Sequence, residues 1–306
     1  MKTNHDNLSD DVIQITGLSR CFGTKQALHN INLHVARGKV FGLVGENGAG
    51  KTTLIKHILG LLKAEIGTVR VFGMDPVQNP PGVLSRLGFL SENRDLPPWM
   101  RVDELLHYTS AFYPKWDRTY AEELREQFGL DPKTRIKSLS RGETAKAGLL
   151  VALAYRPELL LLDEPSSGLD PVVRRDILEV IIRTVADEGR TVFFSSHLLE
   201  EIERVSDDIA LMYNGKVALS GPLDEVKAQH HRITFRFEHP QAEPPRVSGA
   251  LSLSGSGREW TAVCNGTREQ LLQELTQLGG RVVEEEVPTL NEIFVARSSQ
   301  GPRQRN

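Results

Sequence analysis

A glycine-rich turn between a short apolar run and a helical pattern limits the folds that this chain can adopt. Residues 45–52 read Gly-Glu-Asn-Gly-Ala-Gly-Lys-Thr, which satisfies the motif G-x-x-x-x-G-K-[ST]. The apolar run 39–44 precedes the turn, and apolar residues recur at helical spacing over 53–59. Strand, loop and helix in this order are the context that a phosphate-binding P-loop requires. The alternative is a glycine-rich turn that matches the motif by chance.

The chemistry of this turn suits a nucleotide. Its glycines let successive backbone N–H groups wrap phosphate oxygens, and the following helix directs the positive end of its dipole at them. Lys51 should reach the β- and γ-phosphates of ATP and take part in catalysis, while the Thr52 hydroxyl should ligate Mg²⁺. The predicted nucleotide-binding residues of the loop are Gly45, Glu46, Asn47, Gly48, Ala49, Gly50, Lys51, Thr52 and Thr53.

Two carboxylates follow a second buried-strand pattern. The continuous apolar run 159–162 is followed by Asp163 and Glu164, at the end of the strand where open α/β sheets bind their ligands. Asp163 would hold Mg²⁺, and Glu164 would polarise the water that attacks the γ-phosphate. The alternative is a strand that simply ends in a solvated acidic turn.

Hydrophobic periodicity outlines the fold of the first part of the chain. Alternating residues from 12 to 35 predict half-buried antiparallel strands, and a further strand is expected at 67–72. Residues 97–155, with apolar residues three or four apart, predict an inserted helical subdomain. Strand patterns at 159–162, 191–194 and 209–212 alternate with helical stretches at 171–188 and 198–205. This alternation predicts an α/β fold with a parallel sheet covered on both faces.

From residue 229 the pattern changes to that of a small α+β appendage. The pattern indicates an alternating strand at 233–237, then a stretch rich in Pro, Gly and Ser at 240–257, a helix at 269–278 and a strand near Val282. The expected domains are therefore 11–227, which contains every motif described here, and 229–306.

Composition and charge narrow the class of protein. With 306 residues, 39% apolar and 25% charged, the chain can bury a core, and its net charge of −3 gives no global attraction to nucleic acid or anionic lipid. Cys21 and Cys264 lie far apart, which argues against a disulfide framework or a zinc site. No run approaches 18 apolar residues and no signal-peptide pattern is found, so we expect a cytoplasmic protein that does not itself cross a membrane.

Three further segments complete a recognisable pattern. Residues 139–143 read Leu-Ser-Arg-Gly-Glu, the acidic strand end at 163–164 continues as Pro-Ser-Ser-Gly-Leu-Asp over 165–170, and residues 195–197 read Ser-Ser-His. In this order after a P-loop, they resemble the signature motif, the Walker B motif with its D-loop, and the H-loop of ATP-binding cassette (ABC) ATPases. The resemblance covers residues 11–226, and the single unit with an appendage is most similar to subunits that drive ABC-2-type exporters.

The resemblance implies a site shared between two chains, in which the signature motif grips the γ-phosphate of ATP held by the opposite subunit. The signature residues are Leu139, Ser140, Arg141, Gly142 and Glu143, and Asp170 belongs to the D-loop. Arg141 and Glu143 depart from the usual L-S-G-G-Q, and Arg141 would add positive charge near a phosphate. The residues independently favour an anion site, because a serine hydroxyl and free N–H groups open a predicted helix at 142–154. A plain helix N-cap is the simpler role of Ser140.

Three more residues receive roles from the resemblance. His197 would contact the γ-phosphate or the attacking water, whereas a lone histidine also fits a structural role. Phe22 lies where the family places an aromatic ring against adenine, and a core phenylalanine is the alternative. Glu92 occupies the Q-loop in place of the commoner glutamine. Its carboxylate can ligate Mg²⁺ directly or through water, but it cannot donate a hydrogen bond as an amide does.

Six large side chains crowd one short stretch of a chain that is only 6% aromatic. They are Trp99, Met100, Tyr108, Phe112, Tyr113 and Trp116. If exposed, they would form a docking patch for a membrane subunit; if buried, they would form the core of the helical subdomain. The sequence supports both interpretations equally.

These features predict a P-loop NTPase of ABC type that binds ATP with Mg²⁺ and hydrolyses ATP. The expected function is a motor that pairs with a second ABC ATPase subunit, identical or paralogous, and energises a separate membrane permease at the inner face of the cell membrane, in the direction of export. A kinase that uses the same P-loop would leave 139–143, 167–170 and His197 without a role. A soluble, non-transport ABC protein is the other alternative. The single cassette, the acidic balance and the lack of a basic stripe weigh against it, and no nucleic-acid partner is expected.

Overall fold

A computed structural model describes residues 11–186 and 189–298, and the chain divides into two compact units between Val217 and Ala218. The last residues of the predicted helix 171–188 and of the predicted appendage 229–306 lie outside the described residues.

In chain order the strands are β1 (Asp11–Phe22), β2 (Lys25–Ala36), β3 (Val40–Gly45), β4 (Ile66–Val71), β5 (Leu87–Leu90), β6 (Leu159–Asp163), β7 (Thr191–Ser196), β8 (Asp208–Tyr213), β9 (Lys216–Pro222), β10 (His230–Gln241), β11 (Ala250–Asn265) and β12 (Gly280–Glu286). The helices are α1 (Lys51–Ile58), α2 (Pro80–Leu84), α3 (Val102–Ser110), α4 (Arg118–Gln127), α5 (Arg141–Leu153), α6 (Pro171–Ala186), α7 (Leu199–Val205), α8 (Leu223–Ala228), α9 (Arg268–Gln277) and α10 (Leu290–Ser298).

An antiparallel sheet of order β2-β1-β4 forms one layer of the first unit. Ile13 lies opposite Val35 of β2 on one side and opposite Val71 of β4 on the other. These three side chains are buried in a core cluster that also includes Leu54 of α1. The antiparallel strands predicted between residues 12 and 35 are confirmed, because alternate apolar residues bury one face of the sheet.

The second layer of the first unit is a sheet in which the strands follow the order β5-β6-β7-β3-β8. The pairs β5–β6, β6–β7, β3–β7 and β3–β8 are parallel, which confirms the predicted parallel sheet. The four leucines of β6 have no exposed surface, as a strand buried on both faces requires. Asp163 lies opposite Ser195, and Val44 lies opposite Ser196. The P-loop, the acidic pair and the segment 195–197 therefore leave the sheet at the same edge.

The helices of the first unit follow the sequence pattern where they are long. The predicted helical subdomain at 97–155 contains α3, α4 and α5. Sequence reasoning missed α2 and β5, because five and four residues are too few to show a period. Across residues 11–186 and 189–298, no helix combines the length and the apolar character that spanning a bilayer takes.

The second unit contains a sheet of order β11-β10-β12 and its own core. The predicted strand at 233–237 lies within β10, and the predicted helix at 269–278 corresponds to α9. The stretch rich in Pro, Gly and Ser at 240–257 includes the start of β11, which begins at Ala250. The β11 segment turns back on itself near Gly255 and Gly257, since Asn265 N donates to the Gly249 carbonyl oxygen at 2.8 Å. Two glycines of that stretch therefore lie in a turn between paired segments.

Deletion of the chain after Ala228 should leave a folded protein that still binds ATP. Every motif predicted to bind the nucleotide precedes that residue, and the second unit has its own apolar core. The truncated chain should unfold cooperatively on heating and should bind ATP within about twofold of the full-length affinity, measured by calorimetry. A soluble, folded truncated chain that no longer binds ATP would contradict this expectation.

Candidate functional site

The glycine-rich turn connects the end of β3 to the start of α1. Gly50, the N-cap residue of α1, has φ +107°, and a Cβ atom there would lie 2.7 Å from the Ala27 carbonyl oxygen. Only glycine accepts this conformation and this close approach without strain. Gly48 and Gly50 both line the adjoining cleft, where backbone N–H groups suit phosphate oxygens.

Lys51 and Glu164 form a buried ion pair at the carboxyl edge of the parallel sheet. Their exposed fractions are 6% and 4%. The Lys51 Nζ atom lies 3.0 Å from Glu164 Oε1 and donates to the Gly45 carbonyl oxygen at 2.6 Å. Because a buried carboxylate is stable only when a cation or several donors compensate it, Lys51 stabilises the charge on Glu164.

The second oxygen of Glu164 contacts His197, which follows the end of β7. Glu164 Oε2 lies 2.7 Å from His197 Nδ1 and 3.3 Å from the backbone nitrogen of His197. The His197 side chain keeps 38% of its surface exposed. With Nδ1–H donating to Glu164, the Nε2 atom remains available to contact a ligand. The structure thus brings the three predicted catalytic residues, Lys51, Glu164 and His197, into one chain of contacts.

The backbone of Glu164 is left-handed, with φ +49°. For a residue other than glycine this conformation costs about 1–3 kcal/mol and persists only where neighbouring contacts hold it. The Ser195 hydroxyl does so, since it accepts from Glu164 N at 3.0 Å and donates to Asp163 Oδ1 at 2.8 Å. Sequence reasoning assigned no role to Ser195, although its place beside His197 was a signal.

An open cleft adjoins the P-loop. It is lined by Phe22, Lys25, Ala27, Glu46, Asn47, Gly48, Gly50, Lys51, Thr52, Thr53, Glu92 and Glu164. Phe22 is 46% exposed, so the alternative of a core phenylalanine was wrong. Lys25 and Ala27 also line the cleft, and no motif singled them out. The ring of Phe22 and the phosphate-binding loop thus lie at one cleft, which suits a ligand with an aromatic base and phosphates.

The oxygen atoms predicted to hold Mg²⁺ lie in and beside this cleft. Thr52 and Glu92 line it, whereas Asp163 is 3% exposed and is not among the lining residues. In the part of the chain that the structure describes, no three His, Cys, Asp or Glu side chains form a metal cluster. A hydroxyl and two carboxylates fit Mg²⁺, which takes oxygen ligands and completes its shell with water and phosphate.

The signature segment opens α5. Ser140 is the N-cap residue: its Oγ accepts from Glu143 N at 3.2 Å, while Ser140 N donates to Glu143 Oε2 at 2.8 Å. This capping box confirms the N-cap role of Ser140 and explains Glu143, whose pKa is lowered by the hydrogen bonds from Ser140. A Cβ atom on Gly142 would lie 2.9 Å from Val173 Cγ2, so glycine permits close packing of α5 on α6. Of the described residues, none from Leu139 to Glu143 lines the cleft of its own chain.

Asp170 and Arg94 hold the loop that follows Glu164. Asp170 Oδ1 accepts from Val172 N at 3.0 Å and Val173 N at 3.1 Å, which caps α6. The Arg94 guanidinium donates from one nitrogen to the carbonyl oxygens of Pro165 (3.1 Å) and Ser167 (2.7 Å). Burial lowers the pKa of Arg94. Sequence reasoning missed Arg94, because no motif places it and only its position two residues after Glu92 pointed to the site.

Some of the large side chains in the helical subdomain are exposed, and others pack within the subdomain. Trp99, Tyr108 and Phe112 are more than half exposed. Tyr113, in contrast, stacks on Tyr155 with ring centroids 3.7 Å apart. The stretch therefore has a half-buried side that packs within the subdomain and an exposed aromatic side.

Comparison with known proteins adds independent information. Residues 28–167 match the ABC transporter family, and residues 221–297 match the C-terminal domain of DrrA1-3-like ATP-binding proteins. The chain is 29% identical to the ABC transporter ATP-binding protein YtrB of Bacillus subtilis over 94% of this chain and 98% of YtrB. It is 34% identical to the daunorubicin resistance ATP-binding protein DrrA3 of Streptomyces coeruleorubidus and 33% identical to the bacitracin transport ATP-binding protein BcrA of Enterococcus faecalis. These matches cover 72% of both chains for DrrA3, and 73% of both for BcrA.

Solved structures agree with the fold. The ATP-binding subunit of an ABC transporter superposes with a TM-score of 0.65 at 28% identity, over 71% of this chain and 92% of that chain. The dimeric bacterial ABC transporter cassette MJ0796 gives a TM-score of 0.62 over 69% of this chain and 98% of that chain. Because the identity to MJ0796 is 22%, this match shows only that the two chains share a fold.

Lys51→Ala should destabilise the folded protein by about 3 kcal/mol, because it leaves the buried Glu164 carboxylate without its cation. Glu164→Gln in the same chain should restore most of that loss, since the amide carries no charge. Urea unfolding of the wild type, the two single variants and the double variant measures the coupling between the two sites. Strictly additive effects would show that the ion pair contributes nothing to the stability of the site.

Proposed function

Since the chain belongs to the family of ABC transporter ATP-binding proteins, we propose a mechanism and a set of partners for it. The protein is an ATP-hydrolysing motor subunit of an ABC transporter. In the proposed mechanism, two such units close head to tail over two ATP molecules, and their closing and opening drive a separate membrane subunit. The observation that carries the catalytic assignment is the Glu164 carboxylate, which lies between Lys51 and His197.

The three residues divide the catalytic work. The Lys51 ammonium binds the β- and γ-phosphate oxygens and so leaves Glu164, whose Oε1 atom then accepts a hydrogen bond from the attacking water. His197, held at Nδ1 by Glu164 Oε2, contacts the γ-phosphate or the attacking water through Nε2. The backbone N–H groups of the P-loop bind the phosphates, and Phe22 stacks on the adenine.

Thr52, Asp163 and Glu92 would hold Mg²⁺, with Asp163 acting through water because it is buried beside Ser195. When bound, Mg²⁺ supplies positive charge that offsets the charge developing on the phosphates. The position of Asp163 is set by Ser195, whose hydroxyl also holds the backbone of Glu164. The same serine thus orients the metal-binding residue and the catalytic carboxylate.

The signature segment completes the site in the proposed dimer. The Ser140 hydroxyl and the N–H groups at the start of α5 bind the γ-phosphate of ATP held by the partner. Exposure of Ser140 and its separation from the cleft of its own chain support this role. Loss of the γ-phosphate removes the ligand that bridges the two subunits, so hydrolysis opens the dimer.

The membrane subunit is proposed to dock on the exposed aromatic side of the helical subdomain, formed by Trp99, Tyr108 and Phe112. The motor then works at the cytoplasmic face of the cell membrane. Outward transport is supported by relatives whose names refer to bacitracin transport and daunorubicin resistance. These relatives also favour a transporter subunit over a kinase or a non-transport ABC protein.

Lys51→Ala should reduce ATP turnover by at least about 100-fold, because the phosphate charge loses its compensating ammonium. Lys56→Ala is the matched control, since Lys56 is an exposed lysine on the same helix and should leave turnover unchanged. Release of inorganic phosphate from ATP is measured at a temperature where circular dichroism shows both variants folded. Turnover retained by Lys51→Ala would refute the role of Lys51.

Glu164→Gln should trap the closed dimer. The amide keeps the size of the side chain but does not act as a base, so ATP binds and is not hydrolysed. Size-exclusion chromatography should show a shift from monomer to dimer with ATP and no shift with ADP. If the cassette partner is a paralogue, both chains are supplied.

Ser140→Arg in the Glu164→Gln chain should abolish this shift, because its side chain would occupy the place of the γ-phosphate contact. ATP binding by each monomer should be retained, as calorimetry would show. The shared-site mechanism is falsified if Glu164→Gln gives no ATP-dependent association with the correct partner, or if Ser140→Arg leaves the association unchanged.

A further inference from the structure

One buried carboxylate has no part in the proposed chemistry. Glu201 lies in the first turn of α7 and is 4% exposed. Its Oε2 atom accepts two hydrogen bonds, from Ser166 Oγ at 2.7 Å and from Ser196 Oγ at 2.8 Å. Both distances are normal for O–H···O hydrogen bonds, so each serine makes a full hydrogen bond to the carboxylate oxygen.

The other oxygen of Glu201 pairs with a cation. Its Oε1 atom lies 3.2 Å from Arg174 Nε on α6. Arg174 also donates to the Leu169 carbonyl oxygen at 3.4 Å. Glu201 therefore connects the loop after β6, the end of β7 and the start of α6 through one side chain.

The two serines adjoin the proposed catalytic residues. Ser166 follows Glu164 by two residues, and Ser196 immediately precedes His197. The Ser196 hydroxyl also accepts from Leu198 N at 3.0 Å, so it contacts the backbone on the far side of His197. A shift of Glu201 would therefore move the backbone that carries Glu164 relative to the backbone that carries His197.

The free energy of burying a carboxylate resists any change in this arrangement. A carboxylate away from water is unfavourable unless its oxygens are paired, so the free energy rises whenever a donor moves away from Glu201. The two serine hydroxyls are therefore held at hydrogen-bonding distance from Oε2, and Arg174 is held as the counter-charge of Oε1. Reacting groups that must meet within a few tenths of an ångström need this kind of support.

We propose that Glu201 is a positioning residue for ATP hydrolysis, which holds the Glu164 loop and the His197 loop in one arrangement through Ser166 and Ser196. In the described part of the chain, the hydrogen-bond and ion-pair partners of Glu201 are Ser166, Ser196 and Arg174, and none of them belongs to the P-loop. Its effect therefore falls on the rate of the chemical step and not on the binding of ATP. The proposal rests on the catalytic roles proposed for Glu164 and His197.

Steady-state ATP hydrolysis by the Glu201→Gln variant tests the positioning role of Glu201. The kcat value should fall about tenfold while KM for ATP stays within about twofold, the pattern of a lost transition-state interaction. Glu200→Gln is the matched control, because Glu200 is an exposed carboxylate in the same helical turn and should leave both constants unchanged. The double variant Ser166→Ala/Ser196→Ala removes the two donors without burying or exposing a charge, and should lower kcat to a similar extent.

A double-mutant cycle with His197→Ala separates positioning from general destabilisation. In the His197→Ala background, Glu201→Gln should lower kcat by less than about twofold, because one of the two groups that it aligns is already absent. An undiminished tenfold loss in that background would overturn the proposal, as would a kcat unchanged in both the Glu201→Gln and the serine variants. If the Glu201→Gln variant does not fold, the Ser166→Ala/Ser196→Ala variant replaces it in the cycle with His197→Ala, and the same two outcomes support or overturn the proposal. Turnover retained by Glu164→Gln would instead refute the proposed function on which the inference rests.

Discussion

The burial of the Glu164 carboxylate is the constraint on which the rest of the site depends. A negative charge with almost no contact with water requires a cation and donors close by, and here they come from other segments of the chain. The parallel sheet supplies them, since the carboxyl ends of β3, β6 and β7 lie side by side. Lys51 comes from the element after β3, and His197 from the element after β7. The order of the strands thus determines which side chains can reach the carboxylate.

Around this pair, the loop that follows Glu164 is held from two directions. Arg94 grips the carbonyl oxygens of Pro165 and Ser167, while Glu201 binds the hydroxyl of Ser166 that lies between them. Together with Ser195, these contacts maintain a left-handed glutamate that would otherwise relax. Strain at one residue is thereby distributed over hydrogen bonds from three separate segments of the chain.

The sequence predicted the parts of the site that are local and missed the parts that are not. The P-loop and the pair Asp163–Glu164 could be read because turn chemistry and strand burial leave their pattern within a few residues. Arg94 contacts carbonyl oxygens that lie 71 and 73 positions further along the chain, and Glu201 contacts a hydroxyl 35 positions before it. The residues next to Arg94 and Glu201 in the sequence give no sign of these contacts. The same limit applied to the start of β11, which was not predicted because its glycines form a turn inside a sheet. For the aromatic stretch, spacing indicated a helix but not which face a partner would cover.

The capping box of α5 has an electrostatic consequence. A glutamate at the third position of the helix places a negative charge beside the N-H groups that would meet a phosphate, and the neighbouring Arg141 offsets that charge. The two side-chain charges thus oppose each other at this end of the helix, and the partial positive charge of the free N–H groups acts only within the first turn. Recognition of an anion through this helix should therefore be of short range and should depend on hydrogen bonds made at contact.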